Sequence, residues 1–299
     1  MAVETFTSTT TWTCPAGVTS VAVECWGAGG SGAQTTGGVR DNAVGGGGGG
    51  YSKKNTLAVT PSTVYDIIVG VGGTGVNGNS DGNAGGNTYF AAGADVLAYG
   101  GGAGTGSNTS IGAGRGAALG VGDTRYTGGN SGSTTGDGTT GGGGGAGSGG
   151  NGGDSPNAAT SDFTNSGGTG GTPDGGAGSD SVTNTGSSNG TNPGGGSGAV
   201  LTGGTDSTGN GGNGMLKLTY FRVLTSSVSD TNVTLDARTY TMAMAVEDTN
   251  VTTDTISQPS WNNQGKKTAP TYTNESKSSV ATMTNQSKSS TTWTNSTKS

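Results

Sequence analysis

The chain contains no histidine and only two cysteines. Without histidine, the usual nucleophile–base triads and the common zinc sites are excluded. Carboxylates are scattered singly along the sequence, so no pair that could cleave a glycosidic bond can be nominated. We therefore expect a protein that is not an enzyme and that has no catalytic residues, metal ion or cofactor.

The two cysteines, Cys14 and Cys25, could form a disulfide between neighbouring strands or remain buried thiols. The start of the chain, "MAVETFTST", lacks the basic and apolar regions of a secretory signal peptide, and this favours thiols. No apolar run is long enough to span a membrane. No basic patch with interleaved aromatic residues is present either. Membrane insertion and nucleic-acid binding are therefore not expected.

Large apolar side chains are also scarce, since hydrophobic residues make up 27% of the chain. Glycine replaces them: of the 67 glycines, all but Gly17 and Gly265 lie between Gly27 and Gly214. Collagen is excluded because the glycines occur in runs rather than in a strict triplet, and the chain has seven prolines. Too few apolar residues lie between Gly100 and Gly214 to offset the conformational entropy of ordering that segment. Such a segment is either disordered or held by systematic backbone hydrogen bonds.

Strand signals flank this glycine-rich field. "WTCPAGVTSVAVECWGAGG" reads as strand, turn and strand, with Val21, Val23 and Cys25 on one face of the second strand. "GNGMLKLTYF" closes the field with a second alternating pattern, and this strand is expected to pair with the N-terminal ones. We predict a glycine-rich β domain over residues 1–221, with scaffold strands at about 1–100 and 214–221 and the glycine-rich field at about 100–214.

The remaining region, residues 222–299, is rich in Thr, Ser and Asn and contains internal repeats. "WNNQGK", "YTNESK", "MTNQSK" and "WTNSTK" begin 11, 11 and 10 residues apart. Each unit contributes one large apolar residue, which we expect to act in oligomerisation or anchoring; these are Trp261, Tyr272, Met283 and Trp293. The Thr-rich flanks favour strands. The region is therefore predicted to be a β-repeat region for oligomerisation or attachment.

Across "FTSTTTWTCPAGVTSVAVECWGAGGSG", "GGGGGYS" and the apolar strand before "VGVGG", the sequence resembles the glycine-rich domain of bacteriophage fibre and tail adhesin proteins. The resemblance covers about residues 5–221. It departs from the family at Cys14 and Cys25, where aliphatic residues are usual. The C-terminal array is similar to repeats of phage structural proteins. In phage adhesins of this composition, glycine-rich segments pack as polyglycine II helices, with three residues per turn and outward-facing backbone groups.

The resemblance and the patterns together predict an all-β chain with essentially no α-helix. It would have an N-terminal β-sandwich-like scaffold with polyglycine II or extended excursions, followed by the C-terminal β-repeat region. The implied function is that of a non-enzymatic virion structural protein, a tail or head fibre or adhesin, assembled in the host cytoplasm. The implied partners are other virion proteins, further copies of the chain (preferably as a trimer), and a host cell-surface glycan or outer-membrane protein.

Receptor contact is expected at polar loop tips, because loops carry variation and the field offers too few large side chains to line a deep pocket. In "VGDTRYTGGN", Arg125 and Tyr126 are the receptor-contact candidates. Alternatives are a bacterial cell-surface or extracellular-matrix structural protein and, less favoured, a glycine-rich ice-binding protein. "GGNGGD" and "GGAGSDSV" fit a calcium-binding pattern, but they do not occur in tandem. Chance matches with two loop aspartates are the simpler interpretation.

Overall fold

A computed structural model describes residues 1–36, 42–106, 120–134, 137–159, 161–202 and 206–222, and the backbone of two short strands at 272–275 and 288–291. None of these residues lies in an α-helix, so the predicted all-β class is confirmed. The chain divides into two compact units, Met1–Ser227 and Val228–Ser299.

The strands of the first unit are numbered in chain order. They are β1 (Ala2–Phe6), β2 (Thr10–Thr13), β3 (Ser20–Trp26), β4 (Gln34–Thr36), β5 (Asn42–Ala43), β6 (Tyr51–Ala58), β7 (Val64–Ile68), β8 (Thr88–Phe90), β9 (Leu97–Ala98), β10 (Thr124–Tyr126), β11 (Gly138–Thr139), β12 (Val182–Thr183), β13 (Val200–Thr202) and β14 (Met215–Tyr220). In the second unit, β15 (Tyr272–Glu275) pairs antiparallel with β16 (Lys288–Thr291).

Two antiparallel sheets form a sandwich. One has the strand order β1-β14-β3-β6-β10, and the other has the order β2-β7-β8-β9. The closing strand β14 lies between β1 and β3, so the expected pairing with the N-terminal strands is confirmed. Strand β3 presents Val21, Val23 and Cys25 to the core between the sheets, where they meet Trp12 and Phe90 from the facing sheet. The strand alternation read from the sequence therefore matches the buried face.

Most of these strands continue directly into extended segments that pack side by side, which we call the lattice segments. They are residues 27–34, 44–50, 70–76, 80–87, 99–106, 127–134, 139–147, 150–158, 164–171, 175–182, 187–192, 194–200 and 207–214. Segment 27–34 is the extension of β3, and segment 44–50 leads into β6. The sandwich thus fixes one end of the lattice.

The hydrogen bonds of segment 27–34 repeat every three residues. One series of N–H groups donates to segment 44–50: Gly27 to Gly50, Gly30 to Gly47 and Ala33 to Val44, at 2.8, 2.9 and 3.0 Å. The series displaced by one residue donates to segment 80–87: Ala28 to Gly86, Ser31 to Asn83 and Gln34 to Ser80, at 3.1, 2.8 and 3.0 Å. A third direction is taken by Gly29, whose N–H donates to Gly212 at 2.8 Å. Three residues per turn with outward-facing backbone groups is the geometry of polyglycine II.

The lattice extends beyond the field expected from the sequence. Glycine runs before Gly100, in the range assigned to the scaffold strands, form segments 27–34, 44–50, 70–76 and 80–87 of the same lattice. The backbones approach so closely that a β-carbon at Gly48 would lie 2.0 Å from the carbonyl oxygen of Gly144. Glycine is therefore required at each position where the backbone of one segment touches that of its neighbour.

The end of the lattice away from the sandwich is closed by short parallel strands. Strand β13 lies between β12 and β4, and β11 pairs with β5. Small side chains fill the space between these strands, with Ala33, Ala43 and Ala199 fully buried. We call this end, with its connecting loops, the far end of the lattice. A segment of eight residues spans about 25 Å at ~3.1 Å per residue, which sets the separation of the two ends.

Candidate functional site

The two receptor-contact candidates lie on β10 rather than in a loop. This strand is at the edge of its sheet and pairs with β6, with Arg125 opposite Ser52 and Tyr126 opposite Tyr51. Adjacent residues of a strand point to opposite faces, so the two side chains diverge. Arg125 is exposed, and its Nη1 donates to the carbonyl of Gly120 at 3.3 Å. The structure places them next to each other along the chain without joining them in one contact surface.

Tyr126 belongs to an aromatic cluster on the outer face of the sheet. Its ring stacks on Tyr51 with a centroid separation of 6.0 Å, and Tyr51 meets Trp26 edge-on at 4.9 Å. Ala146 from lattice segment 139–147 covers Trp26 and Tyr51. Tyr126 is half-buried in this packing, so only part of its ring is exposed to solvent.

A buried carboxylate lies beneath these rings. Glu24 accepts a hydrogen bond from the Tyr51 hydroxyl at 2.8 Å and forms an ion pair with Lys217 at 2.9 Å. The Lys217 ammonium also lies 5.4 Å from the Trp26 ring centroid. Burial raises the pKa of Tyr51 above its usual value, and the hydrogen bond to Glu24 raises it further. Glu24, Tyr51 and Lys217 satisfy one another, which is the arrangement of a structural cluster.

A second charged pair lies at the exposed edge beside β10. Lys54 and Asp123 form an ion pair of 2.8 Å, and Asp123 also accepts a bond from the backbone N–H of Asn55. The hydrogen bond from Lys54 lowers the pKa of Asp123, and the same bond raises the pKa of Lys54. At this exposure the pair contributes little to stability, but it fixes the start of β10 against β6.

The aspartates of the calcium-like motifs serve as hydrogen-bond acceptors for neighbouring segments. The Asp154 carboxylate accepts the N–H of Asn130 at 2.6 Å, and Asp180 accepts that of Gly167 at 2.8 Å. Among the described residues no group of three or more His, Cys, Asp or Glu side chains comes together. At the outer segments of the lattice, such side chains take the place that a carbonyl of a further neighbour would occupy.

Both cysteines are free and buried, as the sequence indicated. Cys14 and Cys25 lie in the sandwich core, and burial raises the pKa of each thiol above its usual value. A thiol of raised pKa in an apolar environment is chemically inert. Their role is to pack in positions where an aliphatic residue would also fit.

Of the four C-terminal anchor candidates, only the backbone of Tyr272 is described. It begins β15, where it lies opposite Thr291 of β16. This places one repeat unit in a strand. Trp261, Met283 and Trp293 lie outside the described residues, so their anchoring role stays a prediction.

Sequence reasoning missed a polar groove of about 430 Å³ between segments 187–192 and 207–214. Four exposed asparagines line it, with Thr191 and two glycines between them: Asn189, Asn192, Asn210 and Asn213. The signal in the sequence is the pair of asparagines three residues apart in "NGTN" and again in "NGGN". We call this feature the asparagine groove.

A β-sandwich that continues into a lattice of three-residue-per-turn glycine segments defines the class of this protein. A family model described as a glycine-rich domain matches residues 4–221, and the chain belongs to that family. No curated protein matches the chain. Within the described residues no helix is long and apolar enough to cross a membrane.

Proposed function

We propose that this protein is a non-enzymatic structural component of a bacteriophage virion, a tail or head fibre or adhesin. It displays its glycine-rich domain towards the host surface and is anchored, or joined to further copies, through residues 222–299. The preferred assembly is a trimer, in contact with other virion proteins. A host cell-surface glycan or outer-membrane protein is the expected receptor.

The observation that supports this proposal most strongly is the construction of the lattice. Backbone hydrogen bonds order nearly every segment, for example Gly143 to Gly46 and Gly196 to Gly143 at 2.9 and 2.8 Å. Such a body needs few large side chains, so its loops can vary without loss of a core. The sandwich holds one end, and the far end carries connections such as Asn77–Ser80. A rigid base with variable loops suits the display of contact residues to changing hosts.

The resemblance to phage fibre and tail adhesins supplies the biological context. The residues that carry it form β2, the turn after it and β3, and then enter the first lattice segments. The main alternative, a bacterial cell-surface or matrix protein, would use the same lattice as a structural material. The two proposed functions differ in location, because one places the protein on phage particles and the other places it on the bacterial surface or in its matrix.

Localisation separates the two functions. Antibodies raised against residues 1–221 should label the tail or head fibres of purified phage particles from a lysate that carries the gene, as seen by immunogold electron microscopy. Particles that lack the gene serve as the control. Label on the envelope or matrix of uninfected bacteria, with none on particles, would overturn the virion role in favour of the alternative.

A further inference from the structure

We propose that the asparagine groove binds a neutral linear glycan through its side-chain amide N–H groups. This inference rests on the proposed function and names the site and the chemical class of a host ligand. The groove is formed by two neighbouring lattice segments, since the Gly190 N–H donates to the Asn210 carbonyl at 2.9 Å. It lies along the side of the lattice, away from β10.

The side-chain oxygens of the groove are already used by the protein. Asn189 and Asn192 accept the backbone N–H groups of Asn210 and Asn213, at 2.8 and 2.5 Å. Asn210 and Asn213 in turn accept those of Gly75 and Gly72, at 2.7 and 2.9 Å. Each carboxamide is thereby held in one orientation. What it offers to a ligand is its N–H₂ donor.

The donors form a fixed two-by-two array. Residues three apart on one segment are separated by about 9 Å, at ~3.1 Å per residue. Because the amides are fixed before binding, a ligand does not have to order them. Between them, Gly190 and Gly211 are buried, and a β-carbon at either position would lie 2.0 Å from a backbone oxygen, of Gly195 and of Gly29 respectively. The floor of the groove is therefore packed tightly against the lattice, and the exposed asparagine side chains are what a ligand meets. An array of repeated donors suits a polymer whose hydroxyl and ring oxygens also repeat.

The lining excludes other ligand classes. It contains no aromatic or arginine side chain, and these are the residue types that most often anchor protein partners. It contains no charged group either, and residues 1–221 carry 6 basic and 13 acidic residues, a net charge of −7. An anionic polymer would be repelled by this field. A neutral, hydroxyl-rich chain is what remains.

The test is a nuclear magnetic resonance titration of the ¹⁵N-labelled full chain with cellohexaose, maltohexaose, laminarihexaose and hexa-N-acetylchitohexaose. A hexagalacturonate serves as the acidic comparison. At least one neutral hexasaccharide should cause saturable shifts of the side-chain amide signals of the four groove asparagines. The hexagalacturonate should cause none.

The variant Asn189→Asp with Asn210→Asp tests the donors without removing the acceptors. A carboxylate keeps the oxygen that accepts the neighbouring N–H, as Asp154 and Asp180 do elsewhere in the lattice. This double variant should bind the hexasaccharide at least tenfold more weakly. The matched control is Asn151→Asp with Asn157→Asp, because those asparagines accept the N–H groups of Thr127 and Ser133 on a different pair of segments. The control should bind like the unmodified protein.

Two results would overturn the proposal: no saturable shift with any neutral hexasaccharide, or an equal loss of binding in the control variant. The virion role is tested separately by the immunogold experiment. Labelled fibres without glycan shifts would refute the groove alone. Glycan shifts in a protein found only on uninfected cells would refute the virion role and leave the groove in place.

Discussion

A β-carbon added to Gly143 would lie 2.1 Å from the carbonyl oxygen of Gly129 and 2.6 Å from its carbonyl carbon. Both are backbone atoms of a packed segment, and the Gly143 N–H itself donates to Gly46 at 2.9 Å. Neither side can therefore move without losing lattice hydrogen bonds. Gly150, in a tight turn of the same region, has nothing within 4 Å of such a carbon. The same residue type is thus required at one position and replaceable at another.

Gly143→Ala is expected to lower the free energy of unfolding by about 1–3 kcal/mol because it overpacks a closed contact. Gly143→Val should lower it further and disturb the lattice locally. Gly150→Ala, the matched control, should leave stability unchanged or raise it by about 0.4–1 kcal/mol. Urea unfolding of the three variants measures the difference. Equal midpoints for the two alanine variants would contradict the contact argument.

Two tyrosines make the fold sensitive to alkali. Burial, followed by the hydrogen bond that the Tyr220 hydroxyl donates to Glu4, raises the pKa of Tyr220 to about 12. The pKa of Tyr51 is raised in the same way beside Glu24. An unfolded tyrosine has a pKa near 10. The folded state thus holds these two protons more tightly than the unfolded state does. The stabilisation that the protonated tyrosines contribute is fully present below about pH 10 and is lost as the pH rises towards 12.

Tyr51→Phe with Tyr220→Phe should flatten the loss of stability between pH 10 and 12. The measurement is the free energy of unfolding in urea at pH 8, 10, 11 and 12 for the double variant and for the unmodified protein. The difference between them at pH 8 is the cost of the lost hydrogen bonds, and it is subtracted from the differences at higher pH. Parallel curves for the two proteins would show that these hydroxyls do not carry the pH dependence.

At the scale of elements, β10 shows that a sequence with the composition of a loop can form a strand when a neighbouring strand is there to pair with it. "VGDTRYTGGN" has the composition of a loop, yet Thr124–Tyr126 pairs with β6, and residues 127–134 continue as a lattice segment. The strand ends at Tyr126, and from Thr127 onwards the backbone bonds to lattice segments instead of to β6. Arg125 thereby stays exposed on the outer edge while Tyr126 packs against Tyr51.

If β10 contacts the receptor, Arg125→Ala with Tyr126→Ala should weaken host-surface binding about tenfold or more, as truncation of Arg and Tyr does at interface hot spots. The variant Arg125→Ala with Tyr126→Phe keeps the ring that stacks on Tyr51 and so separates contact from packing. Binding of purified protein to host cells gives the readout, with melting temperature as the check on folding. Binding like that of the unmodified protein by both variants would refute the assignment.

At the scale of the whole molecule, the two compact units differ in how they could be stabilised. Met1–Ser227 contains the sandwich core and the lattice. The array of residues 261–299 has four large anchors, too few for one copy to offset the entropy of ordering it. Residues 255–299 also carry five lysines and one glutamate, in contrast to the acidic first domain. Pairing with other copies or with a virion partner would bury the anchors.

Truncation after Phe221 is expected to leave a folded fragment that is monomeric and fails to enter particles. Light scattering after gel filtration measures the first property, and immunoblots of purified virions measure the second. Full-length protein with Trp261→Ser and Trp293→Ser should behave in the same way if the anchors act as proposed. Normal assembly and incorporation of the truncated chain would refute the anchoring role.

Part of this architecture was readable from the sequence. The alternation in Met215–Tyr220 predicted its buried face, because side chains in a strand alternate strictly. In Ser20–Trp26 it predicted the face that enters the sandwich core, but Glu24 and Trp26 on the opposite face are also buried. The lack of apolar residues between Gly100 and Gly214 left two possibilities for that segment, disorder or systematic backbone hydrogen bonds. The resemblance to phage adhesins favoured the second. The sequence also favoured thiols over a disulfide, and Cys14 and Cys25 are free and buried.

Only the tertiary structure decided which segments are neighbours. Within the glycine runs of the lattice the donors and acceptors are backbone groups, which are the same at every residue, so a glycine run carries no information about its partner. The glycine bursts before Gly100 therefore looked like connections, and Arg125 and Tyr126 looked like a loop tip. The asparagine groove was hidden for the same reason: Asn189 and Asn210 meet because backbone N–H groups pair their segments. Side-chain patterns encode burial, and in this protein the lattice pairing is made between backbones.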